Sequence, residues 1–186
     1  MKEIVILADG DFPKTEYPLW LLGAAEAVIC CDGALVKYIE FSEGKAPAAV
    51  VGDMDTLSEE MRTRFADIVV KYDEQDYDDL AKAVRYSLTA YPEVERIHVL
   101  GASGGAEDFT IGNLGLLMEF CRSHPDISFD MISDYTTAFP LHDSETFDCG
   151  AGRTVSVFSP DPTLRIASKG LAWPLDGVCF DNWWKG

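Results

Sequence analysis

Short apolar runs that alternate with helix-compatible stretches constrain this chain more than any other feature. Ile4 to Ala8, Ala27 to Cys31, Ala48 to Val51, Ile68 to Lys71 and Arg96 to Leu100 read as buried strands. Between them, Pro18 to Ala27, Ala34 to Glu43, Ser58 to Phe65 and Tyr77 to Thr89 have helical character, and Ile111 to Cys121 follows as a strongly apolar helix. Strand–helix alternation of this kind predicts an α/β layer on a largely parallel sheet. In such sheets ligands collect at the carboxyl ends of the strands. Those ends carry Asp9-Gly10, Asp32-Gly33, Asp53-Met54-Asp55, Asp76 to Asp79 and Gly101 to Asp108 in turn. One acidic strand end means little; five in register predict a shared site.

After about Ser123 the pattern changes. Ser128 to Ser133, Ala138 to Leu141, Thr154 to Ser159 and Leu164 to Ala167 are short alternating stretches separated by turn residues, which predicts a small antiparallel β unit. The domain boundary is expected between Ser123 and Ile127, giving domains over 1–125 and 126–186.

The totals narrow the function. With 186 residues and a hydrophobic fraction of 47%, a core forms without disulfides or structural metal. The formal net charge of −17 repels nucleic acid and anionic membranes alike. It also repels ATP unless divalent cations neutralise part of the site. Cys30, Cys31, Cys121, Cys149 and Cys179 have no metal-ligand spacing, and reduced thiols in a cytoplasmic protein are expected. The amino terminus enters a strand directly, without the pattern of a leader, and no apolar run reaches the length of a membrane helix.

Asp53 and Asp55 stand two residues apart in a turn after a buried strand. Close carboxylates repel, and a magnesium ion relieves that conflict through oxygen ligation. The alternative is that one carboxylate caps the helix at Ser58 while the other is solvated. Asp73 to Asp79 holds five acids in seven residues. Most suit a solvated loop, but the three-residue spacing of Asp76 and Asp79 at a helix start turns both toward one point. Lys82 lies on the same face as Asp79, able to reach a phosphate or to form an ordinary ion pair. An EF-hand is excluded, because Asp78 and Val84 occupy the positions of its glycine and closing glutamate. Gly101-Ala102-Ser103-Gly104-Gly105 can offer backbone N–H groups to phosphate, although it is not a P-loop. Asn113 caps a buried backbone group or faces the site. Trp173 is either core or a flat wall for an aromatic ligand; Trp183 and Trp184 read as packing or interface residues. His98, His124 and His142 read as structural.

The order of these motifs resembles the thiamin pyrophosphokinase family. Gly52-Asp53-Met54-Asp55-Thr56 is similar to its Gly-Asp-x-Asp-Ser, and Gln75 to Lys82 to its Gln-Asp-x-Thr-Asp-x-x-Lys. Gly101 to Asn113 resembles its Gly-x-x-Gly-Gly-Arg-x-Asp-His-x-x-x-Asn. Lys169 to Leu175 resembles its Gly-Leu-Lys-Trp-x-Leu, and Cys31 to Ala34 its early Asp-Gly-Ala element. The resemblance implies a Rossmann-like catalytic domain followed by a β-sandwich that binds thiamin, assembled as a homodimer with its active site at the interface. It implies transfer of the terminal pyrophosphate of ATP to the thiamin hydroxyl, releasing AMP. Asp53, Asp55, Asp76 and Asp79 would then be the catalytic and magnesium-holding residues. Asp32, Gly33, Lys82, Gly104 and Gly105 would contact ATP. Asp108, Asn113 and Trp173 would contact substrate.

Three departures stand out. Ala106 and Phe109 replace the family's Arg and His, so one cationic phosphate contact is missing or comes from elsewhere. Asp78 replaces a Thr. Trp183-Trp184-Lys185-Gly186 ends the chain where the family continues through a Ser-Asn element and a last strand, so the expected sandwich is truncated. Two other readings compete. A haloacid-dehalogenase-type phosphatase shares the Asp-x-Asp turn, but that motif wants Thr or Val where Leu57 stands and normally follows the first strand. A thiamin- or nucleotide-binding relative without catalysis would explain Ala106 and Phe109.

Overall fold

The computed structural model describes residues 2–182, so Trp183 and Trp184 lie outside the described residues. Contact density divides the chain between Ser144 and Glu145.

The first unit is a seven-stranded sheet. In chain order its elements are β1 (Glu3–Leu7), α1 (Glu16–Ala24), β2 (Val28–Cys31), α2 (Ala34–Phe41), β3 (Ala49–Gly52), α3 (Glu59–Arg64), β4 (Val69–Lys71), α4 (Asp79–Ala90), β5 (Arg96–Leu100), α5 (Glu107–Ser123), β6 (Ser128–Ile132) and β7 (Thr137–Ala138). The strand order is β4-β3-β2-β1-β5-β6-β7, parallel up to β6, with β7 antiparallel on β6. The chain winds outward from β1 to β4, then returns to place β5 on the other side of β1. That reversal leaves a crevice above the β1–β5 boundary.

Both faces of the central strands are covered, which is why their sequences are nearly continuous apolar runs. Ile4, Ile6, Ile29, Val51, Ile97 and Val99 face a core closed by α4 and α5, whereas Val5, Leu7, Cys30, Val50 and Leu100 face one closed by α1 and α2. Helices α3 and α4 start where their capping residues stand. Ser58 Oγ accepts from Met61 N at 3.3 Å, and Asp78 Oδ1 accepts from Ala81 N at 2.8 Å.

Three expectations change. Ser128 to Ile132 is a strand, but it joins the parallel sheet beside β5 instead of an antiparallel unit. Its Phe129, Met131 and Ile132 are buried on the two faces of that sheet, and this exceeds what a local hairpin could cover. Secondly, the helix expected over Ile111 to Cys121 runs over Glu107–Ser123 as α5, with Phe109, Ile111, Leu114 and Met118 exposed and Asn113, Leu117, Phe120 and Cys121 buried. Thirdly, the second unit, from Glu145 onward, contains no named strand among the described residues. Among the described residues its one ladder contact is the antiparallel bridge between Arg165 and Cys179.

Candidate active site

The ends of β2 and β3 and the start of α4 meet at one carboxylate patch. Gly52, the last residue of β3, allows this approach. A Cβ there would stand 3.0 Å from the Asp32 Cβ and 3.1 Å from the Asp79 Cγ. Oxygens of Asp32, Asp53 and Asp55 lie within 4.8 Å of one another.

Asp32 is the buried member, 2% exposed, with its backbone held at φ +35°. Its Oδ2 accepts from Thr56 Oγ1 at 2.5 Å and Thr56 N at 3.2 Å. Its Oδ1 is buried and has no hydrogen-bond partner among the described residues. An orphaned buried carboxylate oxygen is costly, and a cation ligand is a specific remedy. Neighbouring Met54 is also in the left-handed region at φ +68° with its side chain buried, so the turn is held by its core contact against intrinsic preference.

Asp53 Oδ1 accepts from Asp55 N at 3.2 Å, and Oδ2 from Gln75 Nε2 at 3.1 Å. The Gln75 bond holds the Asp53 carboxyl below its ordinary range. Repulsion from Asp53 holds Asp55 above it. Desolvation likewise raises Asp79, opposed by the hydrogen bond from Lys82. Lys82 is buried, and its Nζ lies 3.0 Å from Asp79 Oδ1. Desolvation pulls that ammonium down, but Asp79 and the surrounding acids outweigh it and hold it above its usual value. Three acidic side chains with one orphaned oxygen therefore fit a hard divalent cation, and Lys82 serves Asp79 before any phosphate.

Asp76 sits differently from its sequence expectation. Helix α4 begins at Asp79 with Asp78 as cap, so Asp76 lies in the preceding bend and the shared helical face does not extend to it. Gln75 carries that bend to Asp53 instead. Arg85 braces the same segment by pairing with Glu74 and lying over the Tyr72 and Tyr77 rings at 4.9 and 5.8 Å.

The glycine-rich turn after β5 locks onto the loop after β1. Gly10 N donates to Gly101 O at 2.7 Å and Asp11 N to Ser103 O at 2.9 Å. Gly101, Gly104 and Gly105 all have positive φ. Helix α5 then starts at Ala106 without a side-chain cap, leaving backbone N–H groups as donors. Asn113 is buried and donates to the Ala102 carbonyl at 2.8 Å, so its amide fixes this turn. Asp108 is exposed in the first turn of α5 and accepts from Phe109 N. Gly33 lies against the Asp9 carboxylate, and Lys37 Nζ binds that carboxylate at 2.8 Å. Trp173, in the second unit, is 86% exposed. His98 is buried against Asp130 at 2.8 Å within the sheet.

Two contributors escaped the sequence reading in these roles. Asp32, expected as an ATP contact, is the third member of the carboxylate cluster. Gln75 orients Asp53. The adjacency of β2 and β3 was the available signal for Asp32, and the Gln-Asp pair for Gln75.

An open parallel sheet with a carboxylate cluster and a glycine-rich turn at its strand ends defines an α/β protein that binds its ligands across those ends. The sequence profile of "Thiamin pyrophosphokinase, catalytic domain" matches residues 20–129. The chain belongs to the thiamin pyrophosphokinase family. Thiamin pyrophosphokinase 1 of Caenorhabditis elegans is 28% identical over 88% of this chain and 69% of its own length. Thiamine pyrophosphokinase 1 of Oryza sativa subsp. japonica is 28% identical over 94% of this chain and 74% of its own. The solved thiamin pyrophosphokinase of Candida albicans shares the fold, with a TM-score of 0.54 at 20% identity. That match covers 71% of this chain and 62% of the Candida chain, so the chain spans under two thirds of that structure. The phosphatase reading is not favoured by these relatives. No helix among the described residues is long and apolar enough to cross a membrane.

Proposed function

We propose that the chain transfers the terminal pyrophosphate of ATP to the hydroxyl of thiamin, giving thiamin diphosphate and AMP. The observation that carries this reading is the cluster of Asp32, Asp53 and Asp55 around an orphaned buried oxygen, set beside Asp79 and Lys82. Asp32, Asp53, Asp55 and Asp79 would hold magnesium, with Asp76 in reach of the triphosphate from its exposed bend. Magnesium bound there would neutralise the phosphate charge that a chain of net charge −17 otherwise repels.

The remaining work falls to the chain's own residues. The uncapped start of α5, with Gly104 and Gly105, offers N–H donors to phosphate oxygens. Lys82 keeps Asp79 oriented and adds positive charge beneath the site. The thiamin hydroxyl oxygen forms its bond to the β-phosphorus as the bond from that phosphorus to the α-phosphate's bridging oxygen breaks. The hydroxyl proton passes to one of Asp53, Asp55 or Asp76. Asn113 holds the glycine turn in place, Asp108 lies beside it, and Gly33 gives the Asp9 loop its close approach.

Trp173 is proposed as the stacking wall for thiamin, within a β-sandwich that the second unit would share with the family. A homodimer is part of the same proposal, supported by the exposed apolar side chains of α5. So is a cytoplasmic setting, where the adjacent buried thiols of Cys30 and Cys31 stay reduced.

Incubation with thiamin, ATP and magnesium tests the reaction: thiamin diphosphate and AMP are expected in equal amounts. Phosphate release without AMP would contradict it. The absence of the family's arginine at Ala106 favours a second reading, and thiamin or ATP binding without turnover would select it.

A further inference from the structure

A lysine ammonium carries three protons and no acceptor. Lys37 Nζ, on α2, has three oxygens in reach. It donates to the Asp9 and Gly10 carbonyls at 2.8 Å each and lies 2.8 Å from Asp9 Oδ1. Both carbonyls belong to the loop after β1, and the same two peptide groups meet the glycine turn with their other ends. The peptide that carries the Asp9 carbonyl donates from Gly10 N to Gly101 O at 2.7 Å. The next, which carries the Gly10 carbonyl, donates from Asp11 N to Ser103 O at 2.9 Å. The C=O and N–H of a trans peptide point opposite ways. Two consecutive peptide groups therefore run as struts between the ammonium and the turn.

The approach is close. A Cβ on Gly10 would stand 2.5 Å from the Gly101 oxygen and 2.6 Å from the Ser103 oxygen, so the contact requires glycine. A cation at one end of a hydrogen-bonded peptide polarises it and strengthens the bond at the other end. Past the struts the turn runs through Gly104 and Gly105 into the uncapped start of α5, the backbone donors offered to phosphate. Residues Gly101 to Ala106 bring no cationic side chain of their own. At the ammonium's end, the Asp9 carboxylate lies against Gly33, which follows Asp32 of the carboxylate cluster. The strand order β2-β1-β5 places the β1 loop between the two parts of the site. Lys37 thus ties the end of β2, where Asp32 stands, to the turn after β5.

We propose that Lys37 is a positioning residue for the triphosphate. Through the Asp9 and Gly10 peptides it fixes the glycine turn at the spacing from the carboxylate cluster that a magnesium-bound triphosphate spans. Its protons are committed to Asp9 and Gly10, so it acts through the turn and not by contact with phosphate. The assignment rests on the pyrophosphoryl-transfer reading for its ligand, and its test is read without turnover.

The probe is α,β-methylene-ATP with magnesium, in which a carbon replaces the bridging oxygen whose bond to the β-phosphorus would break. It is titrated calorimetrically against the full chain, Lys37→Met and Lys37→Arg, with the melting curve of each checked against the parent. Lys37→Met should bind the probe about tenfold more weakly, the scale of one charge-assisted hydrogen bond. Lys37→Arg keeps charge and donors and should recover most of that loss. Magnesium alone should raise the melting temperature of the parent and of Lys37→Met equally, and thiamin affinity should stay unchanged. That split separates a displaced turn from a loosened fold. Lys37 is half-buried, so water can replace its ammonium and native melting is expected. If Lys37→Met does not fold, Lys37→Gln, which keeps two N–H donors without the charge, carries the same test with the same expected loss. Unchanged probe affinity in a natively melting Lys37→Met chain overturns the assignment, as does no probe binding by the parent. Equal losses for probe, magnesium and thiamin overturn it too, as does a Lys37→Arg chain as weak as Lys37→Met. If the probe behaves as expected but the parent forms no thiamin diphosphate, the role of Lys37 stands and the transfer reaction falls. If Lys37→Met forms thiamin diphosphate at the parental rate at subsaturating ATP, the transfer stands and the role of Lys37 falls.

Discussion

At the scale of single residues, the site is an arrangement of charges in conflict. Asp55 is raised by its neighbour Asp53, and Asp79 by desolvation against the pull of Lys82. Both carboxyls bind protons more readily in the folded chain than in the unfolded one. Their contribution to stability therefore falls as pH rises from the ordinary carboxylate range through their raised values. A divalent cation removes that penalty and competes with the same protons. Magnesium should raise the melting temperature near neutral pH and do so much less at about pH 4, where carboxylates protonate. Calorimetric melting at the two pH values with and without magnesium checks this; an equal shift at both would argue against carboxylate ligation. The sequence made Asp53, Asp55, Asp79 and Lys82 legible because short local spacing brings them together. It did not place Asp32 in the cluster, because that depends on β2 lying beside β3. Asp76 stands in the bend before α4, which starts at Asp79, two residues after the Tyr77 that the periodicity suggests.

At the scale of elements, capping and sheet pairing decide what forms. Asp78 stands where the family motif it resembles has Thr, and its place is the N-cap of α4, a position both residues serve. The departure thus preserves the start of the helix that presents Asp79 and Lys82. Asp78→Ala should cost about 1 kcal/mol of stability, and Asp78→Thr much less, as read by urea unfolding. The parallel strands were legible as continuous apolar runs because both faces are covered. The alternating stretches Thr154 to Ser159 and Leu164 to Ala167 form no named strand, since alternation marks a surface fit for pairing and cannot supply the partner. Helix α5 shows the reverse: its apolar character was plain in the sequence, yet only one face of it is buried.

For the whole molecule, the first unit extends through β7, and the break falls at Ser144, some twenty residues beyond the turn-rich boundary read from sequence. Phe109, Ile111, Leu114 and Met118 on one helix leave more apolar side chain exposed than a solitary chain needs. Sedimentation should therefore give a species twice the 20.5 kDa chain mass, and a concentration-independent single chain would remove the dimer from the account. Net charge belongs to this scale as well. An acidic molecule accepts a triphosphate only where its carboxylates are already committed to a cation, so affinity for ATP should track magnesium. The central claim is that the β3-end aspartates carry the transfer. The most direct measurement is the rate of thiamin diphosphate formation by Asp53→Asn beside the parent at saturating ATP and magnesium. A fall of at least about a hundredfold with native melting is predicted; turnover at the parental rate would contradict it.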